Sequence, residues 1–273
     1  MEVTDFPAPG KLNLFLHVLG RRPDGYHELQ TVFRLVDRAD RIRITLRDDL
    51  RFNGPFGDDN LCMRAARTLK QETGSRLGAD ISLEKMLPVG GGMGGGSSDA
   101  ASVLLALNRL WKLGLKRARL QEIGAKLGAD VPFFLFGRTA LGEGIGEKLT
   151  ALDLPPAWYL VLTPQVTVST KEIFASALTG ESKRLKIPPF FPGRGQNDLE
   201  RIVTERFPEV AASLAWLKER SAQARMTGSG ACVFAEFATE TEARAIQSQM
   251  LGGMDGFVAQ GLDRHPLYDW ADD

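Results

Sequence analysis

LPVGGGMGGGSSDAA, residues 87–101, places six glycines in the seven positions 90–96, with Met93 between two triplets. Such a run packs no core of its own, and ordering a glycine costs more backbone entropy than ordering any other residue. What glycine offers is the missing Cβ, which lets several N–H groups converge on one anion. The stretch that follows, SSDAASVLLALNRLWKLGL, sets Val103, Leu104, Leu107, Leu110 and Trp111 on one helical stripe, ended by Gly114. Ser98 or Asp99 is the natural N-cap of that helix, whose start carries unpaired N–H groups and roughly half a positive charge. Upstream, ADISLEKMLP reads as a strand. Strand, glycine bend and helix N-terminus together make a phosphate cradle.

Two common cradles do not fit. Gly90, Gly92 and Gly95 satisfy G-x-G-x-x-G, but any glycine run does so almost freely. A dinucleotide site also needs an acid about twenty residues on, where this chain has Lys116 and Arg117. A Walker loop ends in Gly-Lys-Ser/Thr, whereas Gly96 precedes Ser97-Ser98.

Working outward, LNLFLHV (12–18) alternates as a half-buried strand, and Pro23-Asp24-Gly25 turns the chain into a second strand-like run. DRIRITLRDDLRF is a further strand, DNLCMRAARTLKQETG a helix closed by Gly74, and LQEIGAKLG a shorter helix reaching Gly128. FGRTALGEGIGEKL reads as a strand pair and ALDLPPAWYLVLTP as a crossing and a strand. Residues 179–196, rich in Pro, Gly and basic residues, form a surface excursion or ordered loop. NDLERIVTERFPEVAASLAWLKE is helical with a break at Pro208; strand, Gly-Ser-Gly turn, strand, helix and a last strand (FVAQGL) follow. Strands and helices mix without regular β–α alternation, so the class is α+β.

At 273 residues, 43% hydrophobic and 25% charged, the chain suits two domains of ordinary size with a real core. Basic and acidic residues balance at 34 each, which speaks against attraction to nucleic acid or an anionic membrane. Cys62 and Cys232 stand far apart with no metal-ligand spacing, as suits a reducing compartment. With no signal-peptide pattern and no run approaching roughly 18 apolar residues, a cytoplasmic protein is expected.

PVGGGMGGGSSDAA resembles the central motif of the GHMP kinases, which phosphorylate small alcohols and are named for galactose, homoserine, mevalonate and phosphomevalonate. PAPGKLNLFLHV (7–18) is similar to their N-terminal strand, and MTGSGACVFAEF (226–237) to their C-terminal glycine turn. The resemblance implies the two-lobed α+β GHMP kinase fold. Residues 1–153 would form a ribosomal-S5-domain-2-like, ATP-binding domain and residues 154–273 a ferredoxin-like, substrate-side domain, with both ligands meeting in the cleft. GKLNL, RPDGYHELQTVF, LGADVPFFLFG and QNDLE further resemble the branch that acts on a cytidyl diphosphate alcohol. That branch transfers the γ-phosphoryl group of ATP, with Mg2+, to the 2-hydroxyl of the substrate's erythritol part in the non-mevalonate isoprenoid route. The partners implied are ATP and this small molecule, for a monomer or homodimer.

The resemblance also implies roles. Asp130 matches the base that takes the hydroxyl proton, and Lys11 the lysine that hydrogen-bonds the nucleophile or Asp130 and offsets developing charge. Pro88, Val89, Gly90, Gly91, Gly92, Met93, Gly94, Gly95, Gly96, Ser97 and Ser98 would wrap the ATP phosphates. Asn60 and Leu61 match an adenine-side contact, and Asn60 equally reads as the N-cap of its helix. Tyr26 and Phe174 match a sandwich around the cytosine, His27 and Asn13 its polar readers, and Thr170 a further substrate contact. Gly228 and Ser229, with Gly230, would approach the substrate or the terminal phosphates, or else form a plain hairpin turn. Magnesium ligands stay open, with Ser97 or Ser98 foremost. Gly10, where relatives carry alanine, should loosen its strand. An enzyme for another alcohol would have no use for an aromatic sandwich, and a non-catalytic ligand sensor no use for Lys11 with Asp130.

Overall fold

The computed structural model describes residues 4–177 and 196–273, so the expected excursion lies, apart from Gln196, outside the described residues. The elements are β1 (Thr4–Arg21), β2 (His27–Arg47), β3 (Leu50–Asn53), α1 (Leu61–Thr73), β4 (Gly78–Glu84), α2 (Gly95–Leu110), α3 (Arg117–Ala125), α4 (Val131–Phe136), β5 (Ala140–Gly144) and β6 (Lys148–Ala151). Then come β7 (Trp158–Leu162), α5 (Thr170–Ala175), α6 (Glu200–Arg206), α7 (Pro208–Lys218), β8 (Arg225–Met226), β9 (Val233–Phe237), α8 (Glu240–Gln247) and β10 (Gly256–Leu262). One sheet runs β3-β4-β2-β10-β7-β9-β8, with β1 and β5 also on β2 and β6 on β5. No helix among the described residues is long and apolar enough to cross a membrane.

The spine is β2. Two runs suggested by the sequence are one strand of 21 residues. The polar stretch at 37–40 does not break it because β1 pairs across it, Pro9 with Ala39 and Ala8 with Asp40. Asp40 is buried there, and its carboxylate accepts the N–H groups of Met86 (2.5 Å) and Leu87 (2.7 Å).

Where a half-buried strand is expected, β1 is buried at every residue from Leu12 to Val18, and a bulge between Asn13 and Leu16 sends Leu12, Leu14 and Phe15 into one core and Leu16 and Val18 into another. Its edge away from β2 is closed by loops. Lys11 N–H donates to Met93 O (3.0 Å) and Leu16 N–H to Gln196 O (2.9 Å). Asn13 N–H donates to Thr227 Oγ1 (2.9 Å) and Val18 N–H to Asp198 Oδ2 (2.7 Å). Unpaired strand N–H groups must find acceptors when buried, and here doing so draws distant segments to one line.

The N-cap expectation for α2 is corrected. The helix starts at Gly95 behind Gly94, whose φ of 70° is left-handed, and neither Ser98 nor Asp99 caps it. Both lie inside the first turns; Ser98 Oγ donates to Pro9 O at 2.7 Å. Instead of one apolar stripe, α2 is buried at every position from 98 to 108, enclosed by β1, α1 and α4. Its alanines at 100, 101 and 106 allow that close approach on several sides.

The chain's end returns to its beginning. β10 pairs with β7 and then with β2, Gly261 opposite Val36. Leu267 and Ala271 then join the core built on α1–α4, where Arg117 donates to the carbonyls of Leu135, Tyr268 and Ala271. A second core lies among β7–β9 and α5–α7, and a third, holding Leu12, Leu14, Leu87, Met93 and Phe234, lies under the glycine bend.

Candidate active site

The N-terminal and C-terminal segments meet around a cavity of about 1030 Å³. Pockets for small ligands span ~300–1,000 Å³, so this cavity stands at the top of that range. The cavity runs from the glycine bend, past Lys11 and Asp130, to the rings of His27 and Phe174.

The two glycine triplets do different work. Met93, 1% exposed, pins the bend into the third core. A Cβ on Gly10 would stand 2.9 Å from Leu87 Cδ2 and 3.2 Å from Met93 Cε, so Gly10 makes room for that pin. The first triplet packs main chain to main chain against residues 227–232. Gly90 O and Gly91 O accept the N–H groups of Ala231 (3.3 Å) and Cys232 (3.2 Å). A Cβ on Gly92, at φ +76°, would lie 2.3 Å from Thr227 O, and one on Gly228 would lie 2.8 Å from Gly92 O. The second triplet opens α2. Gly94, Gly95, Gly96 and Ser97 line the cavity, and among the described residues their N–H groups have no acceptor, as a helix start dictates. That is the part of the bend ready for an anion.

Ser98 does not reach the cavity. Its N–H donates to Gly94 O (2.9 Å) and its hydroxyl to Pro9 O, so its expected place among the phosphate contacts is corrected. Pro88, Val89, Gly90, Gly91, Gly92, Met93 and Leu61 all line the wall. Asn60 does so too, and its Oδ1 accepts Met63 N–H (3.0 Å) as the N-cap of α1. The capping reading of Asn60 holds.

Lys11 and Asp130 come together from elements far apart in sequence, Nζ to Oδ2 3.6 Å. Asp130 precedes α4 without capping it, which leaves the carboxylate to face Lys11. Lys11 is 4% exposed, and burial holds its ammonium below the usual lysine range against the pull of Asp130. Its Nζ donates to Asn13 Oδ1 (2.5 Å), and Asn13 Nδ2 donates to Thr31 Oγ1 (2.9 Å). Asn13 is thus tied on both sides and fixes the lysine's direction.

At the far end, the His27 and Phe174 rings lie 5.5 Å apart and tilted by 37°. Tyr26, expected as one slice of the sandwich, lines the rim and is 57% exposed. Burial, and then the charge of Arg21, lower the His27 pKa, so its ring is neutral at pH 7 and offers one donor and one acceptor. Thr170 Oγ1 and Ser229 Oγ share a hydrogen bond of 2.8 Å beside Gly228 on the wall.

Sequence reasoning misses three supports. Asn197 Nδ2 donates to Met226 O (2.9 Å) and Gly228 O (2.8 Å), holding the second glycine turn; QNDLE marked the residue but not its task. Thr227 and Thr31 orient Asn13. Lys85 Nζ binds buried Asp40 and Asp99 (2.8 Å to the latter) at the cavity wall. Burial raises the Asp99 pKa to about 7, against the pull of Lys85. In the sequence, Asp99 reads as a cap, and nothing singles out Lys85.

Comparison with known proteins follows the same lines. Residues 60–138 match the family model of the GHMP kinases N terminal domain, and residues 192–254 that of the GHMP kinases C terminal. The 4-diphosphocytidyl-2-C-methyl-D-erythritol kinase of Nitrosospira multiformis is 58% identical over 97% of this chain and 94% of its own length. A crystal structure of a 4-(cytidine 5'-diphospho)-2C-methyl-D-erythritol kinase superposes with a TM-score of 0.84 at 34% identity, covering 94% of this chain and 99% of that one. A homoserine kinase from Cytophaga hutchinsonii, 17% identical, covers 97% and 96% with a TM-score of 0.71 and shares the fold. The glycine bend, the Lys11–Asp130 pair and this near full-length similarity agree: the chain belongs to the GHMP kinases, in the family of the 4-diphosphocytidyl-2-C-methyl-D-erythritol kinases.

Proposed function

We propose that the protein transfers the γ-phosphoryl group of ATP to the 2-hydroxyl of 4-diphosphocytidyl-2-C-methyl-D-erythritol, giving the 2-phosphate and ADP in the non-mevalonate route to isoprenoids. The observation that carries this reading is the order along one cavity: anion-ready N–H groups, then a lysine–aspartate pair, then a pair of rings. The N–H groups of Gly94 to Ser97 hold the triphosphate, with Asn60 and Leu61 on the adenine side. The rings of His27 and Phe174, with Tyr26 at the rim, take the cytosine. The acceptor hydroxyl then lies at Lys11 and Asp130.

Phosphoryl transfer asks the protein mainly for position and charge. Asp130 accepts the hydroxyl proton as the oxygen attacks, since a carboxylate is too weak a base to remove it beforehand. Lys11, held by Asn13, steadies the attacking oxygen and the equatorial phosphoryl charge. Magnesium neutralises phosphate charge in such reactions and usually keeps several waters, needing few protein ligands. Among the described residues no group of three His, Cys, Asp or Glu side chains gathers to hold a metal. With Ser98 committed to Pro9, Ser97 is the hydroxyl left to assist; a Cβ on Gly128, two residues before Asp130, would stand 3.8 Å from its Oγ. Residues 1–153 then supply the ATP site and residues 154–273 one wall of the substrate site, in a cytoplasmic enzyme.

The test is ATP consumption with the cytidyl substrate against homoserine, galactose and mevalonate. Turnover confined to the cytidyl substrate supports the reading; faster turnover with any of the others refutes it.

A further inference from the structure

The cytidyl substrate joins its base to its alcohol through a diphosphate diester, an anion at neutral pH. The rings and Asn13 bring no charge to meet it, and Lys11 is engaged with Asp130. Charged groups along the cavity wall are unevenly placed. Near the glycine bend, Lys85 is neutralised by Asp40 and Asp99. At the ring end the wall holds Arg21 and Lys171, alongside Gly25, Tyr26, Thr170 and Phe174, and among the described residues no acidic side chain lines it there.

Among the described residues neither cation is neutralised: Arg21 and Lys171 make no ion pair. In the same hairpin, Arg22 pairs with Asp24 (2.9 Å) and Glu28 (3.9 Å). The two cations also stand on different segments. Arg21 is the cross-strand partner of His27 in the β1–β2 hairpin. Lys171 follows Thr170 on α5, one turn before Phe174. They therefore flank the ring end from two segments, Arg21 level with His27 and Lys171 one turn before Phe174.

We infer that Arg21 and Lys171 form a two-sided clamp for the diphosphate of the cytidyl substrate and make the site select a cytidine diphosphate over cytidine itself. The inference rests on the cytidyl reading proposed above. Arg21 supplies a planar fork suited to phosphate oxygens, and Lys171 a mobile point charge. In a chain of zero net charge, two unpaired cations at one cavity end also give the mouth a local field that draws an anionic ligand inward.

The test is inhibition by cytidine, CMP and CDP, each competing with the cytidyl substrate at saturating ATP, for the wild type and for Arg21→Gln, Lys171→Gln and the double variant. The wild type should bind CDP at least about tenfold more tightly than cytidine, the scale of one charge-assisted hydrogen bond. The double variant should lose that increment and its salt dependence, while its inhibition by cytidine and its KM for ATP stay within about twofold of the wild type. Unchanged cytidine inhibition also reports an intact fold. A double variant that still prefers CDP by the wild-type factor overturns the clamp and leaves the base site standing. Failure of cytidine and CDP alike to compete in the wild type would remove the cytidyl reading, and the clamp with it.

Discussion

Replacing Gly92 by alanine tests what the glycine bend is for. At φ +76° an L-residue pays a left-handed penalty of ~1–2 kcal/mol. The added Cβ would also lie 2.3 Å from Thr227 O, a main-chain atom that cannot swing aside as a side chain would. Forcing the two bends apart is an overpacking cost of ~1–3 kcal/mol. Together these give ~2–5 kcal/mol, a large share of the ~5–15 kcal/mol that holds a domain together. With a urea m-value of ~2–3 kcal/mol/M, the unfolding midpoint should fall by ~0.7–2.5 M. Gly96→Ala is the control. Its φ is not left-handed, and the new methyl meets only Leu61 Cδ1 at 3.2 Å, the end of a side chain that can yield. Alanine's helix preference offsets that contact, so stability should stay within ~1 kcal/mol. Because Gly96 is exposed on the cavity wall, KM for ATP should rise instead. The assay is urea unfolding of both variants without ligand, followed by tryptophan fluorescence, beside KM for ATP. A wild-type midpoint for Gly92→Ala would refute the claim that the first triplet exists for main-chain packing.

Asp130→Asn should lower kcat by about 10²–10⁴-fold with KM for ATP little changed; near-normal turnover in steady-state assays would remove Asp130 from proton transfer. Phe174→Ala should raise KM for the cytidyl substrate by the equivalent of ~1–3 kcal/mol of base stacking while kcat holds, and an unchanged KM would take the ring out of the base site. Asp99, raised by burial from 3.8 to about 7, makes stability fall as pH rises from about 3.8 through about 7, because the folded protein then gives up a proton it holds more tightly than the unfolded chain does. Asp99→Asn should flatten the fall of the melting temperature between pH 5 and 7. An unaltered pH slope would assign the titration to another group.

Local punctuation was legible in the sequence. The Pro23-Asp24-Gly25 turn, the stop at Gly74, the break at Pro208 and the paired strands around Gly228 depend on the φ preferences of one or two residues, and all four stand where expected. The glycine bend that opens a helix was legible for the same reason: missing Cβ atoms followed by a helix start are local facts. What lay beyond the sequence was every assignment that depends on a neighbour far along the chain. Ser98 and Asp99 look like caps until Gly94 takes that position and burial claims both side chains. Asn13 shows no sign of Thr227, 214 residues away, nor Gly92 of the carbonyl that excludes its Cβ. Periodicity tells which way a side chain points from its own strand or helix. It carries no information about what arrives opposite, and in this protein the arriving groups decide how Lys11, Asp130 and the rings come to share one cavity.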